Sequence, residues 1–348
     1  MGPKVTGSNG GHAYETGRLN LPFVGHCTFG KQPPCLNWDD IDADVAILGV
    51  PYDMGTQYRA GARFGPRAVR EASTLFSFGH NGAYDHENDV VYLPSDRVRI
   101  LDIGDADIIH TDTVRSLDNA ESAVRKILSN GALPVVIGGD HSVHAPAIRA
   151  FDNQLPVHIV HFDAHLDFVN ERHGVYNGHG SPLRRASEMK HVAGITHLGI
   201  RGVSSSNKSD YDAARSIGSK ILSVRQIRRL GVRGTLAAIP IHPRYYVTID
   251  IDGFDPSIAP GTGTPSHGGF LYYEVVELLQ GLARMGEIVG FDLVEVSPDY
   301  DHSGTTAFLA ARVILDFLGY IVEARAERRQ QPRRQDIPNN TETDGERR

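Results

Sequence analysis

The chain has 348 residues, 40% of them hydrophobic and 22% charged, and its formal net charge is −7. This composition is typical of a globular protein, and the acidic balance argues against a nucleic-acid surface, which needs a basic patch. We see no stretch of roughly 18 apolar residues that would span a membrane, and no apolar core of a signal peptide. Two cysteines, Cys27 and Cys35, provide no disulfide framework. We therefore expect a cytoplasmic protein without nucleic-acid or membrane partners.

The predicted elements, in chain order, begin with an arm. Residues 1–40 are rich in Gly, Pro and Asn and are expected to pack on the body or on a neighbouring subunit. Apolar runs predict buried strands at 45–50, 98–103, 134–137, 157–162, 196–200, 245–249 and 288–293. Helical patterns lie at about 66–75, 112–130, 143–152, 208–217, 272–285 and 304–325.

Strands that alternate with helices predict an α/β fold with a parallel sheet of about eight strands and helices on both faces. We assign this domain to residues 41–325. Residues 326–348 are polar and carry charges of both signs, so we predict a disordered tail there.

Three short polar runs each follow a predicted strand. They are Gly-Gly-Asp-His-Ser at 138–142, Asp-Ala-His-Leu-Asp at 163–167 and Asp-Ile-Asp-Gly-Phe-Asp-Pro at 250–256. Because the carboxyl ends of parallel strands meet at one edge of a sheet, we expect these runs to converge. In extended chain, the i, i+2 spacing within the second and third runs places side chains on one face. The candidate ligands are His141, Asp163, His165, Asp167, Asp250 and Asp252.

Four carboxylates and two imidazoles are more ligands than one ion with an open coordination position needs. They suit two divalent ions that share carboxylates, which can hold a bridging water and make it a nucleophile at neutral pH. An oxygen-rich set with some imidazole suits Mn²⁺, and also Ni²⁺, Co²⁺ or Zn²⁺, whereas the lack of thiolates argues against structural zinc. The sequence therefore predicts a binuclear metal-dependent hydrolase.

The three runs resemble the signatures of the ureohydrolases, the arginase and agmatinase family. Further motifs of that family are similar to segments 49–53, 59–66, 199–201 and 292–296. The segment Ala-Pro-Gly-Thr-Gly-Thr-Pro at 259–265 is more similar to the agmatinase branch than to arginase. The resemblance implies a three-layer α-β-α arginase-like fold and two metal ions per chain, usually manganese and in some members nickel.

The resemblance also implies how the ligands divide between the two ions. His141 and Asp167 would bind one ion, and His165 and Asp252 would bind the other. Asp163 and Asp250 would bridge them.

Catalytic and substrate-binding roles follow from the same resemblance. Glu295 matches the family glutamate that orients the guanidinium group, and His179 matches the proton-shuttling histidine. Asp167 is placed to accept a hydrogen bond from the nitrogens of a tetrahedral intermediate. His173 is an alternative to His179, because the loop after Asp167 is two residues longer than the agmatinase pattern. His267 either shapes the pocket for the distal part of the substrate or is an exposed loop residue.

The predicted activity is hydrolysis of a guanidino C–N bond, which releases urea and an amine. Agmatine, guanidinobutyrate, guanidinopropionate and free guanidine present the same planar group, so all four stay open as substrates. The alternatives are a hydrolase of a biguanide or another unusual guanidino compound, with or without a partner subunit, and a deacetylase-like amidohydrolase. The resemblance implies a homo-oligomer, either a trimer or a hexamer, and an accessory protein that loads the metal is a further open partner.

Two smaller sets of residues carry two interpretations each. Arg59, Arg63 and Arg67 either meet an anionic substrate or pair with acids, in the fold or at a subunit contact. His161 either is a structural histidine or orients the ligand run at 163–167.

Overall fold

A computed structural model describes residues 21–77, 82–203 and 206–330 of the chain. Its strands are β1 (Val45–Val50), β2 (Ala83–Asp85), β3 (Val90–Tyr92), β4 (Ile100–Asp105), β5 (Leu133–Gly138), β6 (Val157–Phe162), β7 (Val192–Gly199), β8 (Lys220–Ser223), β9 (Arg244–Asp250) and β10 (Glu287–Val294). Its α-helices are α1 (Gly65–Ser73), α2 (Thr113–Ser129), α3 (His144–Arg149), α4 (Pro182–Ser187), α5 (Lys208–Ser216), α6 (Val224–Ala238), α7 (Tyr272–Met285) and α8 (Thr305–Gln330).

Eight of these strands form one sheet in the order β4-β1-β5-β10-β9-β6-β7-β8. Every neighbouring pair in it is parallel. The strands β2 and β3 pair with each other as a separate antiparallel hairpin. The parallel eight-stranded sheet confirms the predicted α/β fold.

The two faces of the sheet are covered by different helices because successive residues of a buried strand point to opposite faces. In β1, Val45 and Ile47 pack into the core that includes side chains of α1, α7 and α8. Ala46 and Leu48 pack into the core that includes α2, α3 and α4. A strand that is covered on both faces has a continuous apolar sequence, and this pattern predicted β1.

Two properties of the helix α8 were not expected from the sequence. It continues to Gln330, past the domain boundary placed at 325. It is also long and apolar enough, by length and composition alone, to cross a membrane, a property that the sequence analysis did not single out. However, 67% of its most apolar window is buried inside the protein, as expected for a core helix. Residues 331–348 of the predicted tail lie outside the described residues.

Part of the predicted N-terminal arm packs on the body of the same chain. Phe29 is buried, and its N–H donates to Oδ2 of Asp102 at 2.7 Å. The N–H of Cys35 donates to the carbonyl oxygen of Asp102 at 2.8 Å. Residues 1–20 of the arm lie outside the described residues.

Candidate metal centre and catalytic residues

The predicted ligand runs follow strands that lie side by side. In the sheet, β5, β10, β9 and β6 are consecutive neighbours. His141 follows β5, Asp163 follows β6, and Asp250 is the last residue of β9. Glu295 directly follows β10. The predicted ligand runs and Glu295 therefore all lie at the carboxyl ends of four central strands.

Each ligand run leaves its strand through a turn in which a carboxylate accepts from the backbone two residues later. The N–H of Ser142 donates to Asp140 at 2.9 Å, that of His165 to Asp163 at 2.5 Å, and that of Asp252 to Asp250 at 2.8 Å. Such turns are a common property of Asp, because its short side chain reaches its own backbone.

These turns correct the expected geometry of the ligand runs. Residues 163–167 are not extended, and Asp167 has a positive φ of 52°. Asp250 caps a short 3-10 turn, Ile251–Gly253, that contains Asp252. The side chains converge through turns and not through the alternation of a strand.

One histidine nitrogen lies at the centre of the first group of ligands. Nδ1 of His141 is 3.0 Å from Oδ2 of Asp167, and 3.2 Å from Oδ2 of both Asp163 and Asp250. His165 forms a second group, since its Nδ1 is 2.9 Å from Oδ2 of Asp252 and 3.5 Å from Oδ1 of Asp163. Asp163 thus turns one oxygen toward each group. The structure brings all of the predicted ligands together.

The hydrogen bonds of His141 fit a metal ligand. The hydroxyl of Thr248 donates to Asp292 and therefore accepts from Nε2 of His141, at 2.9 Å. With the proton on Nε2, the lone pair of Nδ1 faces the carboxylates. Nδ1 is buried and makes no properly aligned hydrogen bond, although three carboxylate oxygens lie close. A cation among these oxygens would satisfy both the nitrogen and the carboxylates.

The electrostatics of the cluster also favour bound cations. Burial, together with the charges of Asp252 and Asp163, raises the pKa of Asp250 well above its usual value. Burial also opposes ionisation of Asp163, but the charge of His161 and hydrogen bonds with histidines lower the pKa of Asp163. Nε2 of His161 lies 2.7 Å from Oδ2 of Asp163, which is the orienting contact considered from the sequence. Buried like charges of this density need positive charge beside them.

The buried carboxylate of Glu295 lies next to His179. Its Oε1 is 3.0 Å from the backbone N of His141 and 3.0 Å from Nδ1 of His179. Burial opposes protonation of His179, but the hydrogen bond with Glu295 and the charges of Glu295, Asp140 and Asp167 outweigh it and raise the pKa of His179 to about 9. These carboxylates thus favour the protonated form of His179.

The two remaining histidine candidates lie outside this cluster. His173 has a φ of 54° and occupies an exposed turn. His267 is exposed, and its carbonyl oxygen accepts from Nε of Arg201 at 3.2 Å. A role for His267 in substrate binding stays a prediction.

Two of the three candidate arginines have partners within the fold. Arg63 forms an ion pair with the buried Asp53. The guanidinium carbon of Arg59 lies 3.7 Å from the centroid of the Tyr300 ring. Arg63 thus pairs with an acid of the fold, as the structural interpretation expected, whereas the contact of Arg59 is with an aromatic ring.

Sequence reasoning missed several residues that support the ligands. Thr248 and Asp292 are polar residues inside otherwise apolar strands, and that exception was the available signal. The hydroxyl of Thr264 donates to Oδ2 of Asp252 at 2.9 Å. Gly139 permits a close approach, because a Cβ there would lie 1.8 Å from the carbonyl oxygen of Tyr52.

Fold and site together define a class of protein. A parallel α/β sheet that gathers carboxylates and imidazoles at the carboxyl ends of its central strands, beside a Glu–His pair, is the layout of a metal-dependent hydrolase. The model of the Arginase family matches residues 43–319. The chain belongs to this family, whose members are binuclear metal-dependent enzymes.

Individual relatives refine the assignment. A guanidinopropionase from Pseudomonas aeruginosa is 39% identical over 313 residues, which cover 87% of this chain and 94% of that protein. The agmatinase of Bacillus subtilis is 36% identical over 306 residues, covering 86% of this chain and 98% of that protein. The solved structure of proclavaminate amidino hydrolase from Streptomyces clavuligerus superposes with a TM-score of 0.78 at 36% identity, covering 87% of this chain and 99% of that one. The chain is a ureohydrolase of the agmatinase-like branch, a hydrolase acting on guanidino C–N bonds.

Proposed function

We propose that the protein hydrolyses a guanidino compound to urea and an amine at a site with two divalent metal ions. The observation that carries this proposal is the position of Asp163, which turns one oxygen toward the His141 group and the other toward His165. A carboxylate between two groups of ligands is the arrangement that a pair of ions needs.

His141 and Asp167 would hold one ion and His165 and Asp252 the other, with Asp163 and Asp250 shared. Mn²⁺ is the first choice for this oxygen-rich set, and Ni²⁺ the alternative. When bound, the pair lowers the pKa of a shared water and so supplies a hydroxide nucleophile at neutral pH.

Glu295 would bind the planar guanidinium group. Its backbone has a positive φ of 65°, and its N–H donates to the carbonyl oxygen of Gly139 at 2.8 Å. The N–H of His141 holds Oε1 in place. A guanidinium that pairs with this fixed, buried carboxylate has its carbon positioned for attack, which is where much of the rate enhancement arises.

His179 would protonate the leaving amine. Its Nδ1 faces Glu295 and its Nε2 lies 3.4 Å from the backbone N of Gln57. A protonated imidazole beside the guanidinium site can donate when the C–N bond breaks, since an amine leaves readily only with a proton. Asp167, whose carboxylate lies 3.0 Å from His141, would accept from the substrate nitrogens.

The substrate tail is the open part of this assignment. The relatives named guanidinopropionase, guanidinobutyrase and agmatinase favour guanidinopropionate, guanidinobutyrate and agmatine, and free guanidine and biguanides share the reacting group. We also propose that the protein is a cytoplasmic homo-oligomer, either a trimer or a hexamer. Its metal ions would load either spontaneously or with the help of an accessory protein.

Urea release by the purified chain, loaded in parallel with Mn²⁺ or Ni²⁺, tests the proposal across these compounds. We expect two ions per chain by elemental analysis and urea from at least one compound. The variant Glu295→Gln should keep both ions but lose activity about 10²-fold or more, because it loses the charge that pairs with the guanidinium.

The control is Glu287→Gln at the opposite end of the same strand, where Glu287 is exposed. This variant should match the unmodified protein. One ion per chain at full activity, or no urea from any compound with two ions bound, would contradict the proposal.

A further inference from the structure

The loop that carries His179 forms a defined hairpin at the rim of the site. The N–H of Arg172 donates to the carbonyl oxygen of Val175 at 2.9 Å, and that of Val175 donates back to Arg172 at 3.0 Å. Between them, His173 and Gly174 have φ values of 54° and 80°. Two successive positive φ values are the signature of a tight two-residue hairpin turn. The position of Arg172 is therefore fixed by the backbone, although its side chain is exposed.

The guanidinium of Arg172 points to a residue that is itself part of the site. Its Nη1 donates to the side-chain oxygen of Gln57. The backbone N of Gln57 lies 3.4 Å from Nε2 of His179, whose other ring nitrogen faces Glu295. A short series of contacts thus joins the guanidinium-binding carboxylate to Arg172 at the protein surface.

The positive charge of Arg172 is not neutralised by the fold. Its partner Gln57 is a neutral amide, and no carboxylate of the described residues forms an ion pair with it. By contrast, Arg63 pairs with Asp53, and Arg70 pairs with Asp102 and Asp105. A charged donor at the mouth of a site, held by a neutral group, is available to a ligand.

Glycines beside His179 leave the amide of Gln57 room to lie along the loop. A Cβ on Gly178 would be 4.0 Å from Nε2 of Gln57, and one on Gly180 would be 3.8 Å away. The side chain of Gln57 therefore lies against the segment that carries His179 and accepts from Arg172. For a guanidinium that pairs with Glu295, Arg172 is the exposed cation that these contacts place beyond His179.

We propose that Arg172 binds the carboxylate tail of the substrate and so selects ω-guanidino acids over agmatine. Agmatine would bring an ammonium group toward Arg172, and two positive charges close together oppose binding. A carboxylate would instead pair with the guanidinium of Arg172. This inference rests on the proposed function, since it assigns the substrate class of the same site.

The test compares 4-guanidinobutyrate with n-butylguanidine, which has the same reacting group and no charged tail. For the unmodified enzyme, kcat/KM should be higher for the acid than for butylguanidine, and lowest for agmatine. In Arg172→Gln we expect kcat/KM for the acid to fall about ten- to a hundredfold, mainly through KM, with butylguanidine unchanged. Arg172→Lys should retain most of the preference, and Arg172→Glu should favour agmatine over the acid.

The matched control is Arg115→Gln on α2, where the Arg115 side chain is 69% exposed and lies far along the chain from the loop. It should leave both substrates unchanged. Equal losses for the acid and butylguanidine in Arg172→Gln would mean that Arg172 supports the loop and does not recognise the tail, and would overturn the inference. A preference of the unmodified enzyme for agmatine would overturn it as well.

These outcomes are separate from failure of the proposed function, which would appear as no urea from any compound. In that event, calorimetric titration of 4-guanidinobutyrate into the metal-loaded chain still decides the matter. Binding that weakens about tenfold in Arg172→Gln, and not in Arg115→Gln, supports the inference; equal binding to both variants overturns it.

Discussion

Thr248 shows how one small residue orients a predicted metal ligand, His141. Its hydroxyl accepts from Nε2 of His141 and donates to Asp292, and Asp292 also lies 2.8 Å from Nδ1 of His144. This arrangement fixes the proton of His141 on the nitrogen that faces away from the carboxylates. Loss of a residue that orients a metal ligand in this way commonly lowers metal affinity by about 10- to 100-fold.

Thr248→Val keeps the shape of the side chain and removes this acceptor. We expect metal affinity, measured by competition with a chelator, to fall about 10- to 100-fold. Thr235→Val is the control, since Thr235 is equally buried but its hydroxyl bonds to the carbonyl oxygen of Gly231 in α6. Unchanged affinity in Thr248→Val would show that the tautomer of His141 is fixed by other contacts.

The two histidines of the long loop should differ sharply in their effect on catalysis. His179→Asn removes the proposed proton donor, so we expect kcat to fall about 10²- to 10⁴-fold. His173→Asn changes an exposed turn residue to another residue that tolerates positive φ, so its kcat should be unchanged. A large loss in His173→Asn with a small one in His179→Asn would reverse the assignment.

For individual residues, the sequence predicted which side chains meet, but not the backbone conformation that brings them together. Asp163, His165 and Asp167 converge, but through an Asp turn and a positive φ at Asp167 that no extended-strand argument provides. A left-handed conformation at a non-glycine residue depends on surrounding contacts, such as the donation from Leu183 N–H to the carbonyl oxygen of Asp167.

Among the elements, the loops after β7 and β9 are held together by a single side chain. The guanidinium of Arg201 donates exclusively to backbone carbonyl oxygens among its described partners. These acceptors belong to Gly199, Asp252, Gly253, Phe254, Ser266 and His267. Since Asp252 is a predicted ligand, this contact links the second ligand group to the loop that contains His267.

Arg201→Gln should loosen the loops and leave the sheet intact. We expect faster hydrogen exchange at residues 252–254 and 266–267 and a loss of roughly 3 kcal/mol in unfolding free energy, because several charged hydrogen bonds are lost. Arg125→Gln on α2 is the control, because Arg125 also donates to backbone carbonyl oxygens, those of Arg149 and Ala150, and these lie outside the tested loops. Exchange that accelerates equally in both variants would argue against a specific role for Arg201.

Element prediction failed where the element is short or interrupted. The edge strand β8 has four residues, and α4 has six, which is too short for periodicity to emerge. Helix α6 contains Gly231 with a φ of 65°, which breaks its apolar spacing, although the capping box of Ser223 and Gln226 was a usable signal. The long buried strands were predicted well because burial on both faces demands apolar residues throughout.

For the molecule as a whole, a buried histidine away from the ligands sets an acid limit on stability. His158 hydrogen-bonds with Thr196 at 2.9 Å, and burial, with a smaller effect from His242, lowers its pKa to about 4. Its folded-state pKa thus lies below the usual 6.5, so the unfolded chain takes up a proton first as the pH falls.

We therefore expect His158 to destabilise the fold progressively between pH 6.5 and pH 4, by roughly 3 kcal/mol at the lower end. Urea unfolding at several pH values checks this by comparison with His158→Gln, which has no such proton. The stability of the unmodified protein relative to the variant should be constant above pH 7 and fall below pH 6.5. A constant difference down to pH 4 would contradict the prediction.

The order of the strands also decides when the site can exist during synthesis. Strand β10 lies between β5 and β9, yet it is the last strand of the described chain to leave the ribosome. Until Val294 has emerged, β5 and β9 lack the neighbour that separates them, and their exposed edges are open to wrong pairing. Glu295 follows at once, so the proposed guanidinium site forms in the same step that closes the sheet. Nascent chains that end before β10 should thus be the species most in need of chaperones.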